Sequence, residues 1–174
     1  QYAPEEEVAE REEAPPPPAA DLGGAEQAGT PAEPEDKTLS LTVPKMDRLG
    51  GVPVVTAKGD DAAALDAGVI HVAGTGYPWQ PEANVYMAGH RLGYINTGSF
   101  LVFYDLDKLR EGDEVSLADA EGREYRYRVY DVFTVAPEEA EVMLPVEGKN
   151  ILTLQTCTLP DYTRRLIVRA EKVA

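Results

Sequence analysis

Apolar and polar residues alternate with a period of two over several short stretches of the chain from Thr38 onward. Residues 39–43 show the pattern, and residues 125–135 carry its longest run. Such alternation is typical of strands that turn one face toward a core, and the glycines, prolines and charged residues between the stretches favour short turns. Together with short apolar runs between these turns, the pattern predicts strands at 39–43, 52–55, 69–72, 84–88, 114–117, 125–135, 151–156 and 165–170.

Only brief helical segments are predicted among these strands. Asp60 and Asp61 are N-cap residues in front of an alanine-rich segment that ends at Ala67, and a helical turn is expected within residues 104–109. Seven or eight short strands with few helices indicate an all-β fold, either a closed barrel or a sandwich.

The first 37 residues differ in composition from the rest of the chain. They hold eleven acidic and two basic side chains, a net charge of −9 within the −15 of all 174 residues, and half of the prolines. Such a segment buries too little apolar surface to offset the entropy of ordering it. We therefore predict a disordered acidic linker at 1–37 and one folded domain at 38–174.

Charge and composition also exclude several classes of partner. An acidic protein lacks the lysine and arginine clusters that bind nucleic acid. No apolar run is long enough to cross a bilayer. The chain starts with Gln1 instead of an initiator methionine, so we expect that it was trimmed at its start.

One cysteine and two histidines exclude a disulfide framework and disfavour a metal centre, so neither a metal nor another cofactor is expected.

The candidate nucleophile is Cys157, at the end of a predicted strand and just before a loop. Period two places it on one strand face with Thr153 and Gln155, a polar neighbourhood for a cysteine that only fills a core. A side chain at a strand exit is held by the sheet and can stay open to solvent, which suits a nucleophile. The alternative is a cysteine that is packed inward and inert.

A thiol nucleophile also needs a proton partner and a group that stabilises an oxyanion. His90 follows Gly89 at the end of another predicted strand, whereas His71 lies within an apolar run and is expected to be packed there. Arg164 and Arg165 open the last predicted strand, where a guanidinium can face a developing negative charge.

The order of these motifs resembles the sortases, the cysteine transpeptidases that attach proteins to the cell wall of Gram-positive bacteria. The sequence Thr153-Leu154-Gln155-Thr156-Cys157 matches the Thr-Leu-x-Thr-Cys box of the family, which is its most specific motif, and Gly89-His90 matches its Gly-His element. The arginine of the family falls on Arg165, with Arg164 as the alternative one position away. The resemblance extends over residues 41–170.

The resemblance implies an eight-stranded β-barrel with short helices and a three-residue mechanism. Cys157 would attack the threonine carbonyl of a Leu-(Ala/Pro)-x-Thr-Gly sorting signal, with His90 exchanging protons and Arg165 stabilising the oxyanion. Secreted proteins that carry the signal would be the substrates, and an amine of a peptidoglycan precursor or of a pilin would resolve the acyl-enzyme. Such enzymes act at the outer face of the membrane, here through an anchor expected before Gln1.

Within the family, Gly76-Tyr77-Pro78 resembles class E, in which a tyrosine at this place is associated with Leu-Ala-x-Thr-Gly signals. Class C, the pilin polymerases, is the second resemblance, although the chain lacks an Asp-Pro-aromatic lid motif. Tyr77, in the loop at 74–81, and Thr156 are the candidate substrate-binding residues.

Two other interpretations remain open. An L,D-transpeptidase also pairs cysteine with histidine, but its Ser/His-x-Gly-Cys box differs from the Leu154-Gln155-Thr156 that precedes Cys157 here. A non-catalytic β-barrel that binds a wall or pilus component, with Cys157 buried and inert, is the alternative outside the enzymes.

Overall fold

Eight strands form a closed barrel in the computed structural model, which describes residues 32–173. This arrangement confirms the all-β prediction and decides for the barrel over the sandwich. In chain order the strands are β1 (Leu39–Thr42), β2 (Gly50–Ala57), β3 (Val69–Val72), β4 (Ala83–Ala88), β5 (Glu114–Ala118), β6 (Glu124–Val135), β7 (Asn150–Cys157) and β8 (Arg165–Lys172). Around the barrel the order is β1-β2-β3-β4-β7-β8-β6-β5, and β5 pairs with β1 to close it.

The helical segments of the described residues are short, as the sequence predicts. Helix α1 (Ala62–Ala67) begins after Asp61, whose carboxylate accepts a hydrogen bond from the Ala64 amide at 3.0 Å. Two 3₁₀ turns follow, at Leu106–Lys108 and at Glu141–Met143. Residues 32–173 contain no helix of the length and apolarity needed to cross a membrane.

Strands β4 and β7 are neighbours in the barrel and run parallel to each other. Their register extends from Ala83 opposite Asn150 to Ala88 opposite Gln155. Parallel strands end at the same edge and require a long connection, which here contains β5 and β6. The residues that follow Ala88 are therefore brought to the same edge as the end of β7.

Alternation along the strands separates an inner core from an outer face. Apolar side chains such as Val85 and Met87 of β4 and Leu152 and Leu154 of β7 are buried in the barrel interior. A second, smaller apolar cluster lies on the outer face, against α1 and the turn at Glu141–Met143. Its buried members are Ile70, Val72, Tyr86, Ala88, Val142 and Ile167.

The predicted linker falls mostly on residues 1–31, which lie outside the described residues. Residues 32–37 have no helix or strand, and they contact the barrel. The Arg123 guanidinium donates to the Ala32 carbonyl oxygen at 3.0 Å, and Lys37 pairs with Glu33 at 2.7 Å. The boundary at residue 37 stays a prediction.

A buried hydrogen-bond network fixes the loop before β4 to the barrel interior. The Tyr127 hydroxyl donates to Asn150 Oδ1 at 2.7 Å, and Asn150 Nδ2 donates to the carbonyl oxygens of Pro78 and Gln80 at 3.1 and 2.7 Å. Burial raises the pKa of the Tyr127 phenol, so it stays protonated and remains a donor.

Tyr127→Phe is expected to lower the free energy of unfolding by about 1–3 kcal/mol, because Asn150 Oδ1 would stay buried without its donor. Urea denaturation measures this loss. Tyr94→Phe is the matched control at a side chain that is 57% exposed, and it should cost less than about 0.5 kcal/mol. Equal losses in both variants would contradict the role of the network.

Candidate active site

The three predicted catalytic residues form a row at one edge of the barrel. Cys157 ends β7 and is paired with Arg165, the first residue of β8, in the antiparallel β7–β8 ladder. The regular β4–β7 register ends at Ala88 opposite Gln155, and His90 follows it by two residues at the same edge. Because adjacent strands are about 4.8 Å apart, Arg165 lies directly beside Cys157.

This row faces away from the barrel interior. The intervening residues Leu154, Thr156 and Leu166 are buried on the inner side, so alternation projects Cys157, with its two neighbours in the row, outward. His90, Cys157 and Arg165 are all partly exposed. The thiol is therefore held by the sheet and remains accessible from outside the barrel.

Gly89 allows an aromatic ring to pack directly beneath the histidine segment. A Cβ atom at Gly89 would lie 3.0 to 3.3 Å from atoms of the Phe103 ring. The Phe103 amide also donates to the His90 carbonyl oxygen at 3.2 Å. The absence of a side chain at Gly89 thus leaves room for the Phe103 ring.

The imidazole of His90 contacts a carboxylate that the sequence analysis did not single out. Asp66, near the end of α1, places Oδ1 2.8 Å from His90 Nε2. The Tyr94 ring meets the imidazole edge-on, with 5.8 Å between ring centroids. A carboxylate at Nε2 favours the proton on that nitrogen, which leaves Nδ1 as the ring nitrogen that can accept a proton.

The two candidate arginines point to different partners. Arg165 donates through Nη1 to the carbonyl oxygens of Tyr162 and Arg164, both at 3.3 Å, at the end of the β7–β8 loop. Arg164 is directed toward β6, where its guanidinium contacts Thr134 Oγ1 and the Thr134 carbonyl oxygen at 3.3 and 3.4 Å. Because Arg165 is the residue paired with Cys157, the geometry favours it for the oxyanion role.

Thr156 lies on the inner face, next to the nucleophile in sequence. It is 2% exposed, and its hydroxyl donates to the Gly89 carbonyl oxygen at 2.7 Å. This bond ties the end of β7 to the segment that carries His90. Direct contact of Thr156 with substrate stays a prediction, and its burial favours a positioning role.

Tyr77 lies in the loop before β4, at the opposite end of that strand from His90. Its ring stacks on Trp79 with 4.7 Å between centroids, lies 4.4 Å from the His71 ring, and its hydroxyl is 3.2 Å from Thr56 Oγ1. Tyr77 therefore lies at the end of β4 away from Cys157 and packs against the inner apolar cluster, and its contact with substrate stays a prediction.

His71 is packed in the barrel interior, as its apolar surroundings predict. It is 1% exposed, and its ring nitrogens contact Thr56 Oγ1 at 3.0 Å and the Gly76 carbonyl oxygen at 2.8 Å. Burial lowers the pKa of His71, so it remains neutral near pH 7. Among residues 32–173, no three His, Cys, Asp or Glu side chains are grouped so that they could hold a metal ion.

An apolar strip on the outer face leads away from the row. Ala88 and Ile167 form part of its floor, and Val142 stands at its edge. The Tyr86 hydroxyl donates to Gln155 Oε1 within this floor, and burial raises the pKa of Tyr86 so that it stays protonated. Ala88 and Ile167 are 7% and 0% exposed, so this floor is covered by neighbouring side chains on the same face as Cys157.

A β-barrel with Cys, His and Arg in one row on its outer face defines a cysteine-based site on an all-β scaffold. The family model described as the Sortase domain matches residues 41–173. The chain belongs to the sortase family, and the resemblance of its motifs to this family is confirmed.

Individual relatives show the same likeness. Sortase A from Streptococcus agalactiae serotype III (strain NEM316) is 36% identical over 90 residues, which are 52% of this chain and 36% of that protein. The chain thus aligns with about a third of the length of that relative. The lid mutant of sortase A from Corynebacterium diphtheriae has a TM-score of 0.69 at 27% identity, over 85% of this chain and 73% of that one. Sortase C-1 from Actinomyces oris has a TM-score of 0.67 at 29% identity, over 78% and 71%.

Asp66→Asn is expected to lower kcat by about two- to five-fold, because the contact is partly exposed and its energy is screened by water. The side chains of His90 and Asp66 are 32% and 46% exposed. Single-turnover acylation measures the effect, and Asp61→Asn, at the other end of α1, is the matched control. A wild-type rate for Asp66→Asn would show that the carboxylate does not assist the imidazole.

Proposed function

We propose that this chain is a cysteine transpeptidase that cleaves a Leu-(Ala/Pro)-x-Thr-Gly sorting signal between threonine and glycine. It transfers the threonine carbonyl to an amine of a peptidoglycan precursor or of a pilin. The observation that carries the proposal is the partly exposed Cys157, paired with Arg165 and at the same barrel edge as the segment that carries His90.

The chemistry proceeds in two acyl-transfer steps. The Cys157 thiolate attacks the threonine carbonyl carbon, and Arg165 donates hydrogen bonds to the oxyanion that forms. His90 as imidazolium protonates the departing glycine nitrogen as the peptide bond breaks, which leaves a thioester. The acceptor amine loses its proton to His90 and attacks the thioester, the new amide forms, and the thiolate is released.

Family membership and the likeness to sortases A and C-1 support this reaction class. We place the enzyme at the outer surface of a Gram-positive cell, with secreted proteins that carry the signal as its substrates. The residues Gly76-Tyr77-Pro78 favour class E and a Leu-Ala-x-Thr-Gly signal. The partial exposure of Cys157 weighs against the non-catalytic binding module, which would need an inert, buried cysteine.

The main test is incubation with Leu-Pro-x-Thr-Gly and Leu-Ala-x-Thr-Gly peptides plus a glycine amine, read by mass spectrometry. Cys157→Ala should form no acyl adduct, and Arg165→Ala should lose about 10²–10³-fold in kcat because it removes an oxyanion donor. Arg164→Ala is the matched control and should stay near the wild-type rate. An acyl adduct on Cys157→Ala, or no cleavage of either peptide by the wild type, would overturn the proposal.

Tyr77→Ala is expected to change the preference between the two peptides with little effect on thiol chemistry, because Tyr77 lies at the far end of β4 from Cys157. The measurement is the ratio of kcat/KM for the Leu-Ala peptide to kcat/KM for the Leu-Pro peptide. The expected change in this ratio is on the order of ten-fold, because the two peptides differ by one small side chain in an apolar pocket. Tyr162→Ala is the control at an exposed tyrosine of another loop. An unchanged ratio in Tyr77→Ala would remove Tyr77 from the substrate-binding residues.

A further inference from the structure

Arg91, the residue directly after His90, carries a buried guanidinium that reaches the backbone of the nucleophile. Its Nη1 donates to the Cys157 carbonyl oxygen at 3.0 Å, and its Nε donates to the Tyr104 carbonyl oxygen at 2.7 Å. Nη2 lies 3.3 Å from Asp107 Oδ1, and the Arg91 side chain is 8% exposed. The guanidinium thus connects three groups, two of them in the 104–107 segment and one at the end of β7.

The burial of this charge needs compensation, since an unpaired buried cation is costly. Asp107 supplies the opposite charge but is itself 54% exposed, so the ion pair alone does not explain why the guanidinium lies inside. The carbonyl oxygens of Cys157 and Tyr104 account for the buried position, because a guanidinium presents its donors in a fixed planar arrangement. Arg91 is therefore placed as a rigid connector between Cys157 and the 104–107 segment.

The connection lies where the regular pairing of β4 with β7 has ended. The last ladder pair is Ala88 with Gln155. Beyond it, the Gly89 amide donates to the Gln155 carbonyl oxygen at 3.1 Å, and Thr156 Oγ1 donates to the Gly89 carbonyl oxygen at 2.7 Å. Both bonds stop one residue short of His90 and of Cys157. The bond from Arg91 is the one that continues the connection to Cys157 itself.

We propose that Arg91 is a positioning residue that sets the separation of the His90 imidazole from the Cys157 thiol. The inference rests on the proposed transpeptidase function and assigns to Arg91 the role of holding its two reacting side chains in register. Arg91 touches neither the imidazole nor the thiol, and it acts through the Cys157 main chain and through its peptide bond to His90.

Arg91→Lys tests the role because lysine keeps the charge and most of the length but cannot donate to three partners in one plane. The expected result is a fall in kcat of about 10–100-fold with KM unchanged, since small displacements of reacting groups reduce the rate without altering the peptide groove. Rates are normalised to titrated thiol in folded protein. Wild-type kcat in folded Arg91→Lys, or a loss confined to KM, overturns the inference.

Arg110→Lys is the matched control. The Arg110 guanidinium also donates to two main-chain carbonyl oxygens, those of Asp107 and Leu109 at 2.9 and 3.0 Å. Arg110 and Arg91 both contact Asp107, but Arg110 has no hydrogen bond to Cys157. Its kcat is expected to equal that of the wild type, and a loss as large as that of Arg91→Lys would assign the effect to the turn and overturn the inference.

A second readout does not depend on activity. The chain has one cysteine, so ¹³C-carbonyl labelling of cysteine gives a single resonance, that of the Cys157 carbonyl. This resonance is expected to shift in Arg91→Lys, which loses the Nη1 bond, and to stay in place in Arg110→Lys. An unchanged resonance in Arg91→Lys overturns the inference. If the wild type cleaves no sorting peptide, the proposed function fails, and this readout still decides the contact.

Asp107→Ala provides the test if Arg91→Lys does not fold. It removes one of the three partners at a side chain that is 54% exposed, so the barrel is expected to remain folded. A fall in kcat of about two- to five-fold, as for a partly exposed ion pair, together with a shift of the cysteine carbonyl resonance supports the inference. Wild-type kcat and an unmoved resonance in this variant overturn it.

Discussion

The parallel pairing of β4 with β7 is the constraint on which the site depends. Arg91 and Cys157 are 66 positions apart in sequence, and only a parallel pair brings the exits of both strands to one edge, because an antiparallel pair would place the two exits at opposite edges. The chain then turns back from β7 into the antiparallel strand β8, which places Arg165 opposite Cys157. One parallel and one antiparallel neighbour therefore bring the His90 segment and Arg165 to the edge where β7 ends at Cys157.

The alternation of side chains along β7 places the residues that stabilise the barrel on one face and the nucleophile on the other. Leu152, Leu154 and Thr156 point inward, where the apolar side chains fill the core and the threonine hydroxyl bonds to the Gly89 carbonyl oxygen. Gln155 and Cys157 point outward, to the face that also carries the second apolar cluster. A shift of one residue in register would bury the thiol and expose the core, so the packing of the barrel interior also fixes which face carries the nucleophile.

Local patterns predicted the strands well, whereas contacts between distant segments could not be read from the sequence. Alternation and short apolar runs between turns located all eight strands, but barrel closure depends on the β1–β5 pair, which these local patterns do not encode. The order of the motifs selected Cys157, His90 and Arg165 as the candidates. Asp66 was missed because it lies 24 positions before His90 on a helix face, where an aspartate is ordinarily a solvated charge. Arg91 was missed because burial of an arginine after a strand depends on acceptors from two other segments.

The two supports of the histidine segment differ in what they control. Asp66 contacts the imidazole at a partly exposed position, so water competes for both partners and weakens the contact. Arg91 is 8% exposed, and its bonds to main-chain carbonyl oxygens are shielded from such competition. A displacement of the guanidinium would therefore move the backbone of the nucleophile itself. For this reason we expect the geometry of the site to depend more on the buried arginine than on the partly exposed carboxylate.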